Sequence, residues 1–152
     1  MAQSGQLEID LEIQAPTENF YHVFKIQCQH LPSISSDHVK GVDLHEGEWG
    51  KDGSVKTWKY TVGGKEESYK EKIFFDDEKK LVTFVGLHGH VFKNYKSWKN
   101  IFQATPKDEK SCVVKHILEY EKLNETVSEP HEYLDFMVKI TQDIAAHLGK
   151  QA

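Results

Sequence analysis

The C-terminal stretch of the chain carries the clearest helical pattern of apolar and polar positions. Apolar side chains recur there at spacings of three and four residues: Tyr133, Phe136, Met137, Ile140, Ile144 and Leu148. This spacing predicts one amphipathic helix over residues 128–150, with Ser128 as its N-cap and Gly149 at its C-terminal stop. A helix of ~20 residues is ~30 Å long and needs an apolar surface of similar length to cover its apolar face.

The preceding residues show the alternation of β-strands. Residues 7–13 alternate leucine or isoleucine with acidic residues, which predicts a strand with one buried face. Six further strands are predicted, separated by turns: residues 39–46, 54–62, 65–75, 81–87, 91–104 and 112–120. The pair Gly63-Gly64 predicts a two-residue hairpin turn between the second and third of these six.

Two short helices are predicted after the first strand, over residues 18–25 and 26–31, the second ending at Pro32. The order predicts an α+β fold (β-α-α-β6-α) in which a curved, seven-stranded antiparallel sheet wraps around the long helix. The length of 152 residues, without a linker or an internal repeat, predicts a single domain over residues 1–152.

The alternation also turns polar residues toward the interior of this sheet. If Trp58 and Tyr60 face inward, three strands carry inward polar groups: Glu66, Ser68 and Lys70 across the hairpin, Asn94, Lys96 and Asn100 beside Trp98 and Phe102, and His116 beside Val114, Leu118 and Tyr120. A dry core rejects that many polar groups unless they are paired or hydrated. The pattern therefore predicts a cavity between the sheet and the helix.

Composition and charge argue against several classes of function. The net charge of −5 argues against binding nucleic acid through its phosphates. No apolar run approaches the ~18 residues of a membrane span, and the N-terminus lacks the pattern of a secretory leader. The two cysteines fit neither a disulfide framework nor a metal motif, so we expect a reduced, cytoplasmic setting. We expect no metal, no cofactor and a monomer or weak dimer.

Four stretches resemble the major latex protein branch of the plant birch-pollen-allergen superfamily (pathogenesis-related class ten, START-like). They are HEGEWGKDGSVKTWKY (residues 45–60), YKEKIFFDDEKK (69–80), LHGHVFKNYKSWK (87–99) and LEYEKLNE (118–125). The resemblance covers essentially the whole chain and implies the helix-grip fold. It also implies that the cavity binds a hydrophobic or amphipathic small molecule, of the steroid, hormone, flavonoid or fatty-acid class. A role linked to defence or stress is implied as well.

The inward faces and the resemblance together give an expected ligand-binding set: Phe24, Leu31, Trp58, Tyr60, Ser68, Lys70, Phe84, Trp98, Asn100, His116, Leu118, Tyr133, Phe136, Met137, Ile140 and Ile144. His116 is equally well explained as a hydrogen-bonded core residue. We expect Gly47, Gly50 and Gly53 to form a turn that requires positive φ, rather than a phosphate-binding loop, because the lysine and hydroxyl of such a loop are missing. The pair His88 and His90 is expected at a turn rather than on a metal.

Two other functions stay open at this stage. Some alkaloid-forming plant enzymes share the fold and place a lysine, a carboxylate and a tyrosine in the cavity for acid–base catalysis. The candidates for such a set are Lys70 or Lys96, Glu66, and Tyr60 or Tyr120. A ligand-gated protein-interaction module would instead use the glycine loop and residues 18–31 as a gate. The expected set is one of ligand binding, with no catalytic residue.

Overall fold

Seven antiparallel strands form one sheet in the computed structural model, which describes residues 3–150. The strands are β1 (Ser4–Ile13), β2 (Val39–Glu46), β3 (Val55–Val62), β4 (Lys65–Asp76), β5 (Leu81–Gly89), β6 (Tyr95–Pro106) and β7 (Cys112–Lys122). Their order across the sheet is β1-β7-β6-β5-β4-β3-β2, so the first strand lies beside the last. Every other neighbour is the next strand along the chain, as tight turns between alternating segments require.

Three α-helices accompany the sheet: α1 (Thr17–Lys25), α2 (Leu31–Ile34) and α3 (His131–Lys150). Two 3-10 turns, Cys28–His30 and His90–Lys93, complete the described elements. The apolar face of α3 buries five side chains: Leu134, Met137, Ile140, Thr141 and Ile144. The predicted helix-grip architecture is confirmed, because a curved antiparallel sheet and the two short helices surround one long C-terminal helix.

The long helix begins three residues later than predicted, at His131. Ser128 is not its N-cap, because the backbone carbonyl of Ser128 accepts a 2.6 Å hydrogen bond from the Tyr95 hydroxyl. The carbonyl of Pro130 instead accepts from the amides of Tyr133 and Leu134, at 3.2 and 3.3 Å. The segment before the helix is therefore tied to β6, and the helix begins after the proline.

Two further element boundaries differ from the prediction for local reasons. Pro32 does not end a helix but lies in the first turn of α2, where its missing amide proton costs nothing. The predicted strand 91–104 is broken, because His90–Lys93 forms a 3-10 turn and β6 begins only at Tyr95. Gly89, at φ +143°, provides the backbone change that turns the chain out of β5.

The register of the β3–β4 hairpin overturns one predicted set of inward residues. Gly63 and Gly64 form the turn with φ of +56° and +78°, and Val62 pairs with Lys65. Trp58 therefore lies opposite Tyr69, and the inward positions of β4 are odd-numbered: Glu67, Tyr69, Glu71 and Ile73. Glu66, Ser68 and Lys70 lie on the outer face, so the prediction that they face inward was wrong by one residue.

Lys96 was also predicted to face inward and does not. The pairing of β6 with β7 shifts between Tyr95 and Ser97, which marks a bulge at Lys96. The Lys96 side chain is 58% exposed and lies 3.8 Å from the Glu121 carboxylate. The bulge restores the phase of the strand, so that Tyr95 and Trp98 are both buried although three residues apart.

Candidate ligand-binding site

A cavity lies between the inner face of the sheet, α1, α2 and the first half of α3. Its volume is about 90 Å³. Fifteen residues line it: Phe24, Leu31, Val39, Trp58, Tyr60, Tyr69, Phe84, Val91, Trp98, Asn100, Phe102, Tyr133, Phe136, Met137 and Ile140. The aromatic and aliphatic majority makes it an apolar chamber, which is typical of small-molecule sites.

Interlocking aromatic rings fix the wall of the cavity at α1. Phe24 stacks on Phe102 with ring centroids 5.0 Å apart, and Phe84 meets each of these rings edge-on, at 5.8 and 5.9 Å. All three rings are buried. Such contacts hold each ring in one orientation, so this wall is defined before any ligand arrives.

Two phenols of the cavity wall share one carboxylate that lies outside the lining, and we call these three residues the Glu67 cluster (Tyr60, Glu67 and Tyr133). The Tyr133 hydroxyl donates to both Glu67 oxygens, at 2.8 and 2.9 Å, and the Tyr60 hydroxyl donates to Oε1 at 3.2 Å. Burial, followed by the nearby charge and hydrogen bonds of Glu67, raises the pKa of both phenols. Both tyrosines therefore keep their protons at neutral pH.

Asn100 is the amide side chain on the cavity wall, where the Tyr69 hydroxyl also lies and donates to the carbonyl oxygen of Phe84 at 3.4 Å. Its amide nitrogen contacts the sulfur of Met137 at 3.4 Å, which joins β6 to α3. The amide oxygen is buried and has no hydrogen-bond partner among the described residues. A buried acceptor left without a donor costs free energy, so a ligand or a water that donates to this oxygen is favoured.

A buried ion pair lies behind the tryptophan wall. Lys56 and Glu71, 2% and 0% exposed, face each other across β3 and β4 with Nζ 3.4 Å from Oε1. Trp58, which lines the cavity, donates its indole proton to the same oxygen at 2.6 Å. Burial raises the pKa of Glu71 to about 7, although Lys56 and the Trp58 hydrogen bond act to lower it.

His116 proves to be a hydrogen-bonded residue of the core. Its Nδ1 lies 3.2 Å from the carbonyl oxygen of Ile9, and its Nε2 lies 2.8 Å from the hydroxyl of Thr141. A carbonyl can only accept, so Nδ1 carries the proton and Thr141 donates to Nε2. Burial lowers the pKa of His116 to about 4, so the ring is neutral at physiological pH. The imidazole joins β1, β7 and α3 and does not line the cavity.

The cavity brings together eleven members of the expected set: Phe24, Leu31, Trp58, Tyr60, Phe84, Trp98, Asn100, Tyr133, Phe136, Met137 and Ile140. Ser68 and Lys70 lie on the outer face of β4. His116, Leu118 and Ile144 are fully buried but lie outside the cavity lining. The sequence pattern placed all three on buried faces correctly, but β7 and this part of α3 pack directly against each other and leave no space there.

Sequence reasoning missed four lining residues: Val39, Tyr69, Val91 and Phe102. The inward position of Tyr69 could have been predicted, because a two-residue turn at Gly63-Gly64 pairs Val62 with Lys65 and so places Tyr69 opposite Trp58. Phe102 had been assigned to the inner face with Trp98 but was omitted from the set. Val39 and Val91 lie at element ends, where the strand period carries no information about direction.

The glycine loop before β3 has the backbone conformation of a tight turn. Gly47, Gly50 and Gly53 have φ of +80°, +78° and +79°. The Ser54 hydroxyl donates to the carbonyl oxygens of Glu48 and Lys51, at 2.5 and 2.8 Å, which closes the loop on itself. Because that hydroxyl is committed to the backbone, the loop has the hydrogen bonding of a tight turn.

The residues proposed for acid–base catalysis do not converge on the cavity. Of that set, Tyr60 lines it, Glu66 and Lys70 lie on the outer face of β4, and Tyr120 donates to Glu129.

Within residues 3–150, no group of three or more His, Cys, Asp or Glu side chains is placed to hold a metal. His90 accepts a 3.0 Å hydrogen bond from the Ser68 amide through Nδ1, so it supports the turn after β5. None of the described helices is long and apolar enough to cross a membrane.

Comparison with known proteins identifies the class to which this fold and cavity belong. The model of the Pathogenesis-related protein Bet v 1 family matches residues 2–151, and the chain therefore belongs to that family. The fold of this family is known for binding hydrophobic ligands.

The relatives place the chain in the major latex protein branch. It is 42% identical over 146 residues to MLP-like protein 43 of Arabidopsis thaliana, a match that covers 95% of this chain and 92% of that protein. The crystal structure of ginseng major latex-like protein 151 from Panax ginseng superposes with a TM-score of 0.91 at 39% identity, covering 95% of this chain and 97% of that one. Norcoclaurine synthase from Thalictrum flavum shares the fold with a TM-score of 0.83, covering 99% of this chain and 90% of that one, but is only 18% identical.

Proposed function

We propose that this protein reversibly binds a hydrophobic, partly hydroxylated small molecule in the cavity and releases it unchanged. The observation that carries the proposal is the cavity itself: an apolar chamber whose wall has few polar side chains. Burying ~300 Å² of apolar ligand surface contributes ~7 kcal/mol before the loss of translational and rotational freedom. Taken alone, that contribution corresponds to a dissociation constant of about 10 μM, which is an upper limit on the affinity from apolar burial. Selectivity for shape is broad because few polar groups orient the ligand.

Tryptophan fluorescence tests this function directly. Trp58 and Trp98 line the cavity, whereas Trp49 belongs to the glycine loop outside the lining, so Trp49→Phe leaves only the two reporters at the site. Titration of this variant with steroids, cytokinins, flavonoids and fatty acids should quench the emission for at least one class. If no class quenches, the binding function is contradicted.

A matched pair of substitutions on α3 locates the binding. Met137 is 1% exposed and lines the cavity, so Met137→Arg places a charge inside it and should abolish quenching. Gln142→Arg introduces the same side chain on the exposed face of the same helix and should bind like the unaltered protein. Circular dichroism checks that both variants keep the fold, and equal loss in both would argue against the cavity.

The fate of the ligand distinguishes binding from catalysis. Native mass spectrometry of the protein purified from its source should show a bound small molecule, and incubation with that molecule should return it unchanged. A new product whose formation requires the folded protein would instead favour a cavity enzyme. We further propose a cytoplasmic monomer linked to defence or stress, which imaging of a fluorescent fusion, sedimentation of the purified protein and transcript levels after wounding can each test.

A further inference from the structure

The Glu67 cluster offers hydrogen-bond acceptors, and no donors, to the cavity. Both phenolic protons, from Tyr60 and Tyr133, are donated to the same carboxylate. Each phenol oxygen therefore has only lone pairs left to offer a ligand. Because burial and Glu67 raise the pKa of both phenols, the protons stay in place across the physiological range.

No positive charge is available on the cavity wall to balance an anion. None of the fifteen lining residues, all within the described part of the chain, is a lysine, an arginine or a histidine. Lys56 is buried on the inward face of β3, but its Nζ is engaged with Glu71, 3.4 Å away. A ligand carboxylate near the Glu67 cluster would be desolvated and would face a second carboxylate, which is strongly unfavourable.

The Asn100 side chain independently offers the cavity another hydrogen-bond acceptor. With its nitrogen directed at the Met137 sulfur, the atom left free and buried is the oxygen, which can only accept. The hydroxyl oxygens of Tyr60 and Tyr133 and the amide oxygen of Asn100 therefore each have room to accept a hydrogen bond, and a ligand can supply the donor.

From this arrangement we propose that the cavity selects ligands that carry a hydrogen-bond donor, a hydroxyl or an ammonium group, and rejects carboxylates of the same shape. The inference rests on the proposed binding function and specifies its ligand class. A donor head group gains the acceptors of the Glu67 cluster or of Asn100, whereas an anionic head group cannot use these acceptors and is repelled by Glu67.

Four probes that share one naphthalene ring system separate the contribution of the head group to affinity from that of the hydrophobic body. Isothermal titration calorimetry at neutral pH compares 2-naphthol, the ammonium form of 2-naphthylmethylamine, 2-methoxynaphthalene and 2-naphthoate. We expect 2-naphthol and the ammonium probe each to bind at least tenfold more tightly than 2-naphthoate, and 2-methoxynaphthalene to bind several-fold more weakly than 2-naphthol because its ether oxygen cannot donate.

A matched pair of variants assigns this selectivity to the cluster. Glu67→Gln replaces the carboxylate by an amide that can donate to a phenol oxygen, and the ratio of naphthoate to naphthol dissociation constants should fall at least fivefold. Glu66→Gln removes one negative charge from the adjacent, exposed position and should leave the ratio unchanged. Thermal unfolding of both variants confirms that they are folded at the temperature of the titration.

The outcomes distinguish failure of donor selection from failure of the proposed binding function on which it rests. If naphthoate binds as tightly as naphthol to the unaltered protein, or if both variants change the ratio equally, donor selection is overturned while binding stands. If none of the four probes binds and the broader titration also shows no quenching, the proposed function fails and the inference fails with it. Selectivity in the unaltered protein that Glu67→Gln reduces and Glu66→Gln does not supports both.

Discussion

The indole nitrogen of Trp58 donates a 2.6 Å hydrogen bond to Oε1 of Glu71, on the next strand of the sheet. The ring that lines the cavity is therefore held from behind by a carboxylate that is 0% exposed. That carboxylate needs Lys56 to remain ionised in its buried position. The shape of this cavity wall thus depends on an ion pair that lies outside the cavity lining.

We predict that Glu71→Leu lowers the free energy of unfolding by about 3–5 kcal/mol, because it leaves Lys56 buried without its counter-charge. The double variant Lys56→Met/Glu71→Leu removes both charges and should be clearly more stable than Glu71→Leu alone. Urea unfolding of Glu71→Leu, Lys56→Met and the double variant, read as a double-mutant cycle, measures the coupling. Additive losses would show that the two charges do not depend on each other.

The pH dependence of stability should reveal two opposing buried groups. Burial raises the pKa of Glu71 from 4.5 to about 7 and lowers the pKa of His116 from 6.5 to about 4. Between pH 4.5 and 6.5 the folded state holds a proton on Glu71 that the unfolded state has lost, so this group makes stability fall as pH rises. Over the same range the unfolded state protonates His116 and the folded state does not, so this group makes stability fall as pH falls.

We therefore predict a nearly flat pH profile for the unaltered protein and sloped profiles for variants that lack one group. His116→Gln should lose up to about 3 kcal/mol of unfolding free energy as pH rises from 4.5 to 7, because only the Glu71 effect is left. Lys56→Met/Glu71→Leu should lose stability in the opposite direction, as pH falls from 6.5 to 4. Urea unfolding at half-unit steps of pH gives both slopes, and slopes of the same sign would refute this assignment.

Periodicity was enough to predict the architecture of this fold. The spacing from Tyr133 to Leu148 predicted the helix and its buried face, and the alternation of residues 7–13 predicted the first strand. These segments are long and keep one period throughout, so the energetic preference for one buried face is summed over many residues. The boundary at Ser128 was wrong because a tertiary hydrogen bond from Tyr95 decides where that carbonyl points.

The cavity wall was less predictable because it depends on register. A shift of one residue on β4 moves Lys70 outward and Tyr69 inward, and the bulge at Lys96 has no sequence signal as clear as Gly63-Gly64. The distinction between a cavity residue and a packed core residue is also absent from the pattern. His116 and Asn100 both occupy inward positions, but the contact of His116 with Thr141 closes the space around it.

The glycine loop offers two substitutions with the same backbone cost and different surroundings. Gly53 has φ +79° and open space around the position of an added Cβ, so Gly53→Ala should cost about 1 kcal/mol. Gly50 has φ +78°, but an added Cβ would collide with the backbone carbonyl oxygen of Lys25. We predict that Gly50→Ala costs about 2 kcal/mol or more, since the loop must move away from α1. Chemical unfolding measures both, and equal costs would show that the loop does not press on α1.

We predict that the aromatic wall at α1 sets the size of ligand that the cavity accepts. Phe102 packs between Phe24 and Phe84 and is 5% exposed, so Phe102→Leu removes a wall ring that its neighbours cannot fully replace. We expect a loss of about 1–2 kcal/mol in unfolding free energy, together with at least a fivefold gain in affinity for three-ring hydroxylated probes relative to two-ring ones.

Phe74→Leu, at a position 39% exposed on the same sheet, should change neither the stability nor the ratio appreciably. Calorimetric titration of 2-naphthol and 2-hydroxyanthracene into both variants measures the ratio. An unchanged ratio in Phe102→Leu, with the stability loss present, would mean that the wall collapses into the space and that ring count is limited elsewhere in the cavity.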